Sequence, residues 1–254
     1  MSSGANHIPE NVQRIYLIAV CGTGMGALAC LLKDLDFQVT GSDQFMYPPI
    51  SLLLENKGIT VLVGFDPDHI TADYDLVVVG NAVRKDNPEA VRMRELDLPF
   101  CSMPQAINHF AGFGKKSLVI TGTHGKTTTS ALLAWILFSA GRDPTFIIGG
   151  ILKNFDANYR VGSGPYIVLE GDEYDTAYFD KGPKFLHYDP IAAILTSVEF
   201  DHADIFRDKT AVKNAFDSFI SGMSPQSTLV AFDQYPVIRE LIQNRPCRIL
   251  SYGT

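Results

Sequence analysis

The sequence predicts an α/β protein built from two Rossmann-like or P-loop parallel-sheet domains in tandem, and three observations predict it. Two Gly-rich turns each follow a short apolar run: Cys21-Gly22-Thr23-Gly24-Met25-Gly26 after residues 15–20, and Gly122-Thr123-His124-Gly125-Lys126-Thr127-Thr128 after residues 117–121. Apolar strand-like runs alternate with helical patterns, the order that builds a parallel sheet covered on both faces. At 254 residues the chain is also long enough for two hydrophobic cores.

The first cycle opens with residues 15–20, a run rich in branched side chains that reads as a buried parallel strand entering a tight turn. A helix over 25–35, a strand over 37–40, a helix over 50–57 and strands over 60–63 and 76–79 follow. Asn87-Pro88 starts another helix, because proline fits the first helical turn, and Leu98-Pro99 closes it. Gly112-Phe113-Gly114-Lys115-Lys116 reads as an exposed connection, which divides the chain into domains at 1–112 and 113–254. The second cycle has strands over 117–121, 145–148, 166–170, 191–196, 228–232 and 248–251, with helices over 126–140 and 211–220.

Composition narrows the function classes. Apolar residues make up 46% and charged residues 19%, the profile of a soluble globular protein. The net charge of -7, with no Lys or Arg run, argues against a nucleic-acid surface, whereas a small anion needs only a few N–H groups and one or two cations. Cys21, Cys30, Cys101 and Cys247 lack metal or disulfide spacing and read as reduced cysteines of a cytoplasmic protein. The polar start, residues 1–10, has no signal-peptide core, and the apolar stretch 131–138 is too short to span a bilayer, so no membrane partner is expected.

The second turn carries the clearest chemistry. A strand, then glycines, then Lys-Thr opening a helix, is what a phosphate cradle needs. Gly122, Thr123, His124, Gly125, Lys126, Thr127 and Thr128 are the candidate ATP-binding residues, with Lys126 as a mobile cation and the Thr127 hydroxyl as a Mg²⁺ ligand. The longer form of this motif has glycine where Ile120 stands, so the match is to a shorter G-x-x-G-K-T loop.

Two further strand ends are expected to converge on that loop. Glu170 ends one strand and is followed by Asp172, Glu173 and Asp175, mutually repulsive unless a cation or solvent relieves them. Another strand leads into Ser197-Val198-Glu199-Phe200-Asp201-His202. Ligands of open parallel sheets bind at the carboxyl ends of strands, so Thr127, Glu170 and His202, with Glu173 less strongly, are candidate metal ligands. Lys126, Glu170 and His202 are the candidate catalytic set.

The first turn fits G-x-G-x-x-[GA], and Asp43 lies 21 residues beyond Gly22 at the end of the second strand. That spacing suits any ligand with a diphosphate and a ribose, an NAD or a UDP-sugar alike. A downstream ATP loop in the same chain favours the UDP-sugar.

With these residues in view the chain resembles the Mur ligases, ATP-dependent amide-forming enzymes of bacterial peptidoglycan synthesis. The resemblance rests on residues 121–129, on Tyr47-Pro48-Pro49, Gly80-Asn81-Ala82 and Asn87-Pro88-Glu89, and on stretches 172–181 and 199–206. It implies a UDP-N-acetylmuramate-binding first domain, a central ATPase domain that is truncated here, and an absent C-terminal domain that receives the amine. It further implies Mg²⁺ as cofactor and ATP as co-substrate. Gly22, Thr23, Gly24, Met25, Gly26, Ser42 and Asp43 become candidates for the UDP moiety. The implied reaction joins UDP-N-acetylmuramate to the murein tripeptide L-Ala-γ-D-Glu-meso-diaminopimelate in peptidoglycan recycling. Addition of free L-alanine is the alternative within the family, and a non-catalytic nucleotide-binding regulator the alternative outside it. Ser197 departs from the family pattern, which usually has Asn there.

Overall fold

The computed structural model describes residues 6–199 and 209–253. The chain divides into two compact units, one comprising 1–113 with 176–181 and the other 114–175 with 182–254.

The first unit contains β1 (Arg14–Ile18), α1 (Thr23–Asp34), β2 (Gln38–Asp43), α2 (Ile50–Asn56), β3 (Thr60–Val63), β4 (Leu76–Val79), α3 (Pro88–Glu95), β5 (Phe100–Ser102) and α4 (Met103–Ala106). Its five strands lie in the order β3-β2-β1-β4-β5, and every pairing is parallel. The order reverses between β1 and β4, so the turn that leaves β1 sits at the switch point, where this class of sheet opens a crevice. Ile15, Tyr16, Leu17 and Ile18 are all fully buried, because a central parallel strand is covered on both faces. Tyr16, Ile18, Val77 and Val79 pack against Ala90 and Met93 of α3 on one face.

α1 begins at Thr23, two residues earlier than the hydrophobic pattern suggests. Its close packing depends on Gly26, where an added Cβ would fall 2.5 Å from Ile50 Cγ2 of α2.

The rest of the chain forms β6 (Lys116–Thr121), α5 (Lys126–Ser139), β7 (Thr145–Leu152), β8 (Ala157–Arg160), β9 (Tyr166–Gly171), β12 (Ala192–Leu195), α6 (Lys209–Gly222), β13 (Thr228–Phe232), α7 (Pro236–Leu241) and β14 (Arg248–Tyr252) of the second unit, and between β9 and β12 a hairpin, β10 (Asp175–Ala177) and β11 (Asp180–Pro183), that straddles the division. The large sheet runs β14-β13-β12-β6-β9-β7-β8. All its pairings are parallel except that of β8 with β7. β6 therefore lies between β12 and β9, and the register aligns Thr121 with Leu195 on one side and with Gly171 on the other. That alignment brings three strand ends to a single edge.

The expected strand over 145–148 extends to Leu152, and β8, the β10–β11 hairpin and α7 are elements the apolar pattern does not announce. The hairpin is short and acidic at its start, with Tyr178 and Phe179 at its tip. The tip belongs to the first unit: Phe179 stacks edge-on against Phe100, Arg94 Nη1 donates to Tyr178 Oη at 2.6 Å, and Ser102 Oγ donates to Asp180 Oδ2 at 2.9 Å. The chain thus leaves the second unit at Asp175 and re-enters it at Gly182.

Candidate functional site

The loop between β6 and α5 has its shape imposed by β12. Gly122 has φ +129°, and a Cβ there would fall 2.2 Å from Thr196 Oγ1 and 2.8 Å from both the N and O of Ser197. Only glycine fits, because the backbone is left-handed and the neighbouring segment leaves no room. The segment after β12 then holds the loop by hydrogen bonds. Thr123 N donates to Ser197 O at 3.0 Å, His124 N donates to Ser197 Oγ at 2.8 Å, and Glu199 N donates to Thr123 Oγ1 at 2.8 Å.

These bonds settle which donors remain for a ligand. The N–H groups of Thr123 and His124 are turned to Ser197. The first turn of α5, starting after Gly125, keeps the N–H groups that no helix can satisfy internally, and it carries the positive end of a 14-residue helix. The N–H groups of Lys126, Thr127 and Thr128, in that first turn, are therefore among the backbone donors this loop can offer an anion.

Lys126 Nζ donates to Gly122 O at 2.7 Å and to Glu173 Oε2 at 2.8 Å. The Glu173 side chain is 2% exposed and the Lys126 side chain 13%, so this is a largely buried ion pair. Glu173 holds the cation against its own loop, and removing either partner would strand a charge out of water.

Thr127 Oγ1 donates to Glu170 Oε1 at 2.8 Å, while the other oxygen, Glu170 Oε2, accepts from Gly149 N at 2.8 Å. A hydroxyl and a carboxylate from two different elements thus meet beside the helix start. Both are hard oxygen donors, which suits Mg²⁺ coordinated jointly by protein and phosphate. Among the described residues no group of three or more His, Cys, Asp or Glu is gathered for a metal. His202 lies outside the described residues. His124 faces Glu199 at 3.7 Å, and the same carboxylate raises the pKa of Tyr235 by accepting its hydroxyl.

In the first unit the Gly-rich turn is held from β2. Asp43 Oδ2 accepts from Cys21 N at 2.8 Å, and Ser42 O accepts from Val20 N at 2.9 Å. Burial, with the nearby Asp43 charge, pushes the Cys21 thiol up to about 11. Gly22 and Thr23 are exposed, Gly24 half-buried, and Met25 and Gly26 buried beneath the turn. Ser42 is fully buried, and its hydroxyl donates to Glu89 Oε2. Sequence reasoning missed Glu89, Gly149 and Glu173's role as partner of Lys126. The Asn87-Pro88-Glu89 helix start was a visible signal for the first, while the other two depend on which strands become neighbours.

The fold and site together define a tandem α/β protein with a Gly-rich strand-to-helix turn in each of its two mainly parallel sheets. The chain belongs to the Mur ligase family. Residues 14–114 match the model described as Mur ligase family, catalytic domain, and residues 120–254 match the Mur ligase middle domain. It is 42% identical over 217 residues to the UDP-N-acetylmuramate:L-alanyl-gamma-D-glutamyl-meso-2,6-diaminoheptandioate ligase of Escherichia coli, a match covering 85% of this chain and 48% of that one. It is 36% identical over 245 residues to the UDP-N-acetylmuramate:L-alanine ligase of Dechloromonas aromatica, covering 96% of this chain and 51% of that one. Among solved structures it is similar to the UDP-N-acetylmuramate:L-alanyl-gamma-D-glutamyl-meso-diaminopimelate ligase of Neisseria meningitidis. The TM-score is 0.91 and the identity 36%, over 96% of this chain and 79% of that one. The chain spans about half the length of the curated relatives it matches.

Proposed function

We propose that this chain supplies the UDP-sugar-binding and ATP-binding domains of an ATP-dependent, ADP-forming amide ligase acting on UDP-N-acetylmuramate. The observation that carries the reading is the meeting of Thr127 and Glu170 at 2.8 Å beside Lys126, at the edge where β6, β9 and β12 end. A carboxylate is a poor electrophile, so joining it to an amine needs activation. In this reading the γ-phosphoryl group of ATP passes to the lactyl carboxylate of UDP-N-acetylmuramate. The amine of the acceptor then attacks the acyl phosphate, and inorganic phosphate leaves.

The roles follow from position. The N–H groups at the start of α5 and the Lys126 ammonium bind and orient the triphosphate, and Glu173 keeps Lys126 aimed along the loop. Thr127 and Glu170 would hold Mg²⁺, which when bound neutralises charge developing on the phosphates. His202 is assigned to help hold a second cation, by likeness to the family. In the first unit Gly22, Thr23, Gly24, Met25 and Gly26 form the diphosphate turn, with Ser42 and Asp43 fixing its entry.

The tripeptide L-Ala-γ-D-Glu-meso-diaminopimelate is the proposed acceptor, because similarity to ligases named for that peptide, at 42% identity, exceeds similarity to an L-alanine ligase, at 36%. The reading implies a bacterial cytoplasmic enzyme of peptidoglycan recycling, since UDP-sugars and ATP are cytoplasmic metabolites. No described helix is long and apolar enough to cross a membrane.

Calorimetric titration tests the reading. UDP-N-acetylmuramate and Mg-ATP should each bind, and neither should displace the other. Binding of NADH at the first turn, with no UDP-sugar binding, would overturn it. ADP release by the full-length enzyme on adding the tripeptide, compared with L-alanine, then tests the acceptor.

A further inference from the structure

Glu89 is a fully buried carboxylate that the phosphate chemistry does not use. It sits at the start of α3, where Asn87 Oδ1 caps the helix by accepting from Glu89 N at 2.9 Å and Ala90 N at 3.2 Å. Its Oε1 accepts from Tyr16 Oη at 3.0 Å and lies 2.8 Å from His69 Nδ1, and its Oε2 accepts from Ser42 Oγ. Partners from β1, from β2 and from the turn after β3 thus close on one acid. Burial keeps the Tyr16 hydroxyl protonated by raising its pKa well above the ordinary range, so Tyr16 remains a donor.

A buried carboxylate is costly unless its oxygens are bonded, so a cluster of this kind fixes its members in place. Ser42 is the member that matters for a ligand. It directly precedes Asp43, and these two residues hold the Gly-rich turn, Ser42 through its carbonyl to Val20 N and Asp43 through its carboxylate to Cys21 N. Because Ser42 is fully buried, its hydroxyl acts on the turn through the backbone.

We propose that Glu89 is a positioning residue for the UDP-sugar turn, acting through the Ser42 hydroxyl to set the end of β2 and with it the entry to Gly22. The inference rests on the UDP-sugar reading of that turn.

The test is calorimetry of UDP-N-acetylmuramate with the 254-residue chain and its Ser42→Ala, Glu89→Gln, Ser42→Ala/Glu89→Gln and Met93→Ala variants. Met93 lies on the same helix, fully buried and in the same apolar core as Tyr16 but not among the groups that bond Glu89, so it reports loss of packing alone. Each single change in the cluster should raise Kd about tenfold, and the double variant should be no weaker than the weaker single, because both break one linkage. Met93→Ala should lower the melting temperature and leave Kd unchanged. Additive losses, wild-type affinity in Ser42→Ala, or an equal loss in Met93→Ala would each overturn the inference while the UDP-sugar reading stands. Absence of UDP-N-acetylmuramate binding in the wild-type chain is a separate result, and it would remove both.

Discussion

Thr127 on α5 and Glu170 on β9 come within 2.8 Å although 43 residues separate them. The contact follows from the parallel pairing of β6 with β9, which sets Ile120 opposite Glu170 two residues before the phosphate loop begins at Gly122. A hydroxyl and a carboxylate placed together at this edge would supply two of the six oxygen ligands of the proposed Mg²⁺. Thr127→Ser keeps the oxygen and should bind Mg-ATP within about threefold of wild type. Thr127→Ala removes it and should weaken Mg-ATP roughly tenfold or more, a contrast that a fluorescent-nucleotide titration would show.

Gly122 is expected to tolerate no side chain. Its left-handed φ and the Thr196 and Ser197 atoms within 2.8 Å would force the loop away from the segment after β12. Gly122→Ala should cost at least about 2 kcal/mol in unfolding free energy and abolish nucleotide binding. Chemical denaturation of the variant checks the first part. A stability equal to wild type would mean that the loop does not lie against Ser197.

Asp143 predicts an acid-dependent stability. The side chain of Arg160 first, then the N–H and hydroxyl of Ser163, hold its carboxyl well below the usual carboxylate range. A depressed folded-state value means the stabilisation is present above the unfolded value near 4 and is lost as pH falls through the folded one. The melting-temperature gap between wild type and Asp143→Asn should therefore be full at about pH 6 and shrink steadily below about pH 4. A gap that does not change with pH would contradict the assignment.

Cys21 predicts the opposite limb. Its thiol is pushed up to about 11 by burial first and by Asp43 second, so the folded turn favours the neutral form. A raised value gives stability that is complete below the unfolded value, about 8.5, and lost as pH rises towards the folded one. Alkylation of Cys21, followed by peptide mass spectrometry, should stay slow at pH 9 and accelerate only near pH 11. Rapid modification at pH 8 would show that the thiol is not shielded by burial and the Asp43 charge as described.

Much of this architecture is legible from residue order alone. Strands of these sheets are short and rich in branched apolar residues, so β3, β4 and β13 can be read off with their observed ends, and the glycines after β1 and β6 mark the two turns. Lys126, Thr127 and Glu170 are legible because strand ends of one parallel sheet share an edge. What cannot be read locally is which strands are neighbours. Gly149 bonds Glu170 only because β7 lies beside β9, and Glu173 bonds Lys126 only because the chain turns back after β9. The β10–β11 hairpin was hidden for the same reason, its acidic start giving no strand pattern while Tyr178 and Phe179 find their apolar partners in the first unit.

The most direct test concerns the metal. Nucleotide affinity should be measured with and without Mg²⁺ for the wild-type chain and for Glu170→Gln. Mg²⁺ should tighten ATP binding to wild type by about tenfold or more and have little effect on the variant, whose affinity for metal-free ATP should match wild type. An undiminished Mg²⁺ effect in Glu170→Gln would show that the ion is held elsewhere, and the Thr127–Glu170 pair would lose its assigned purpose.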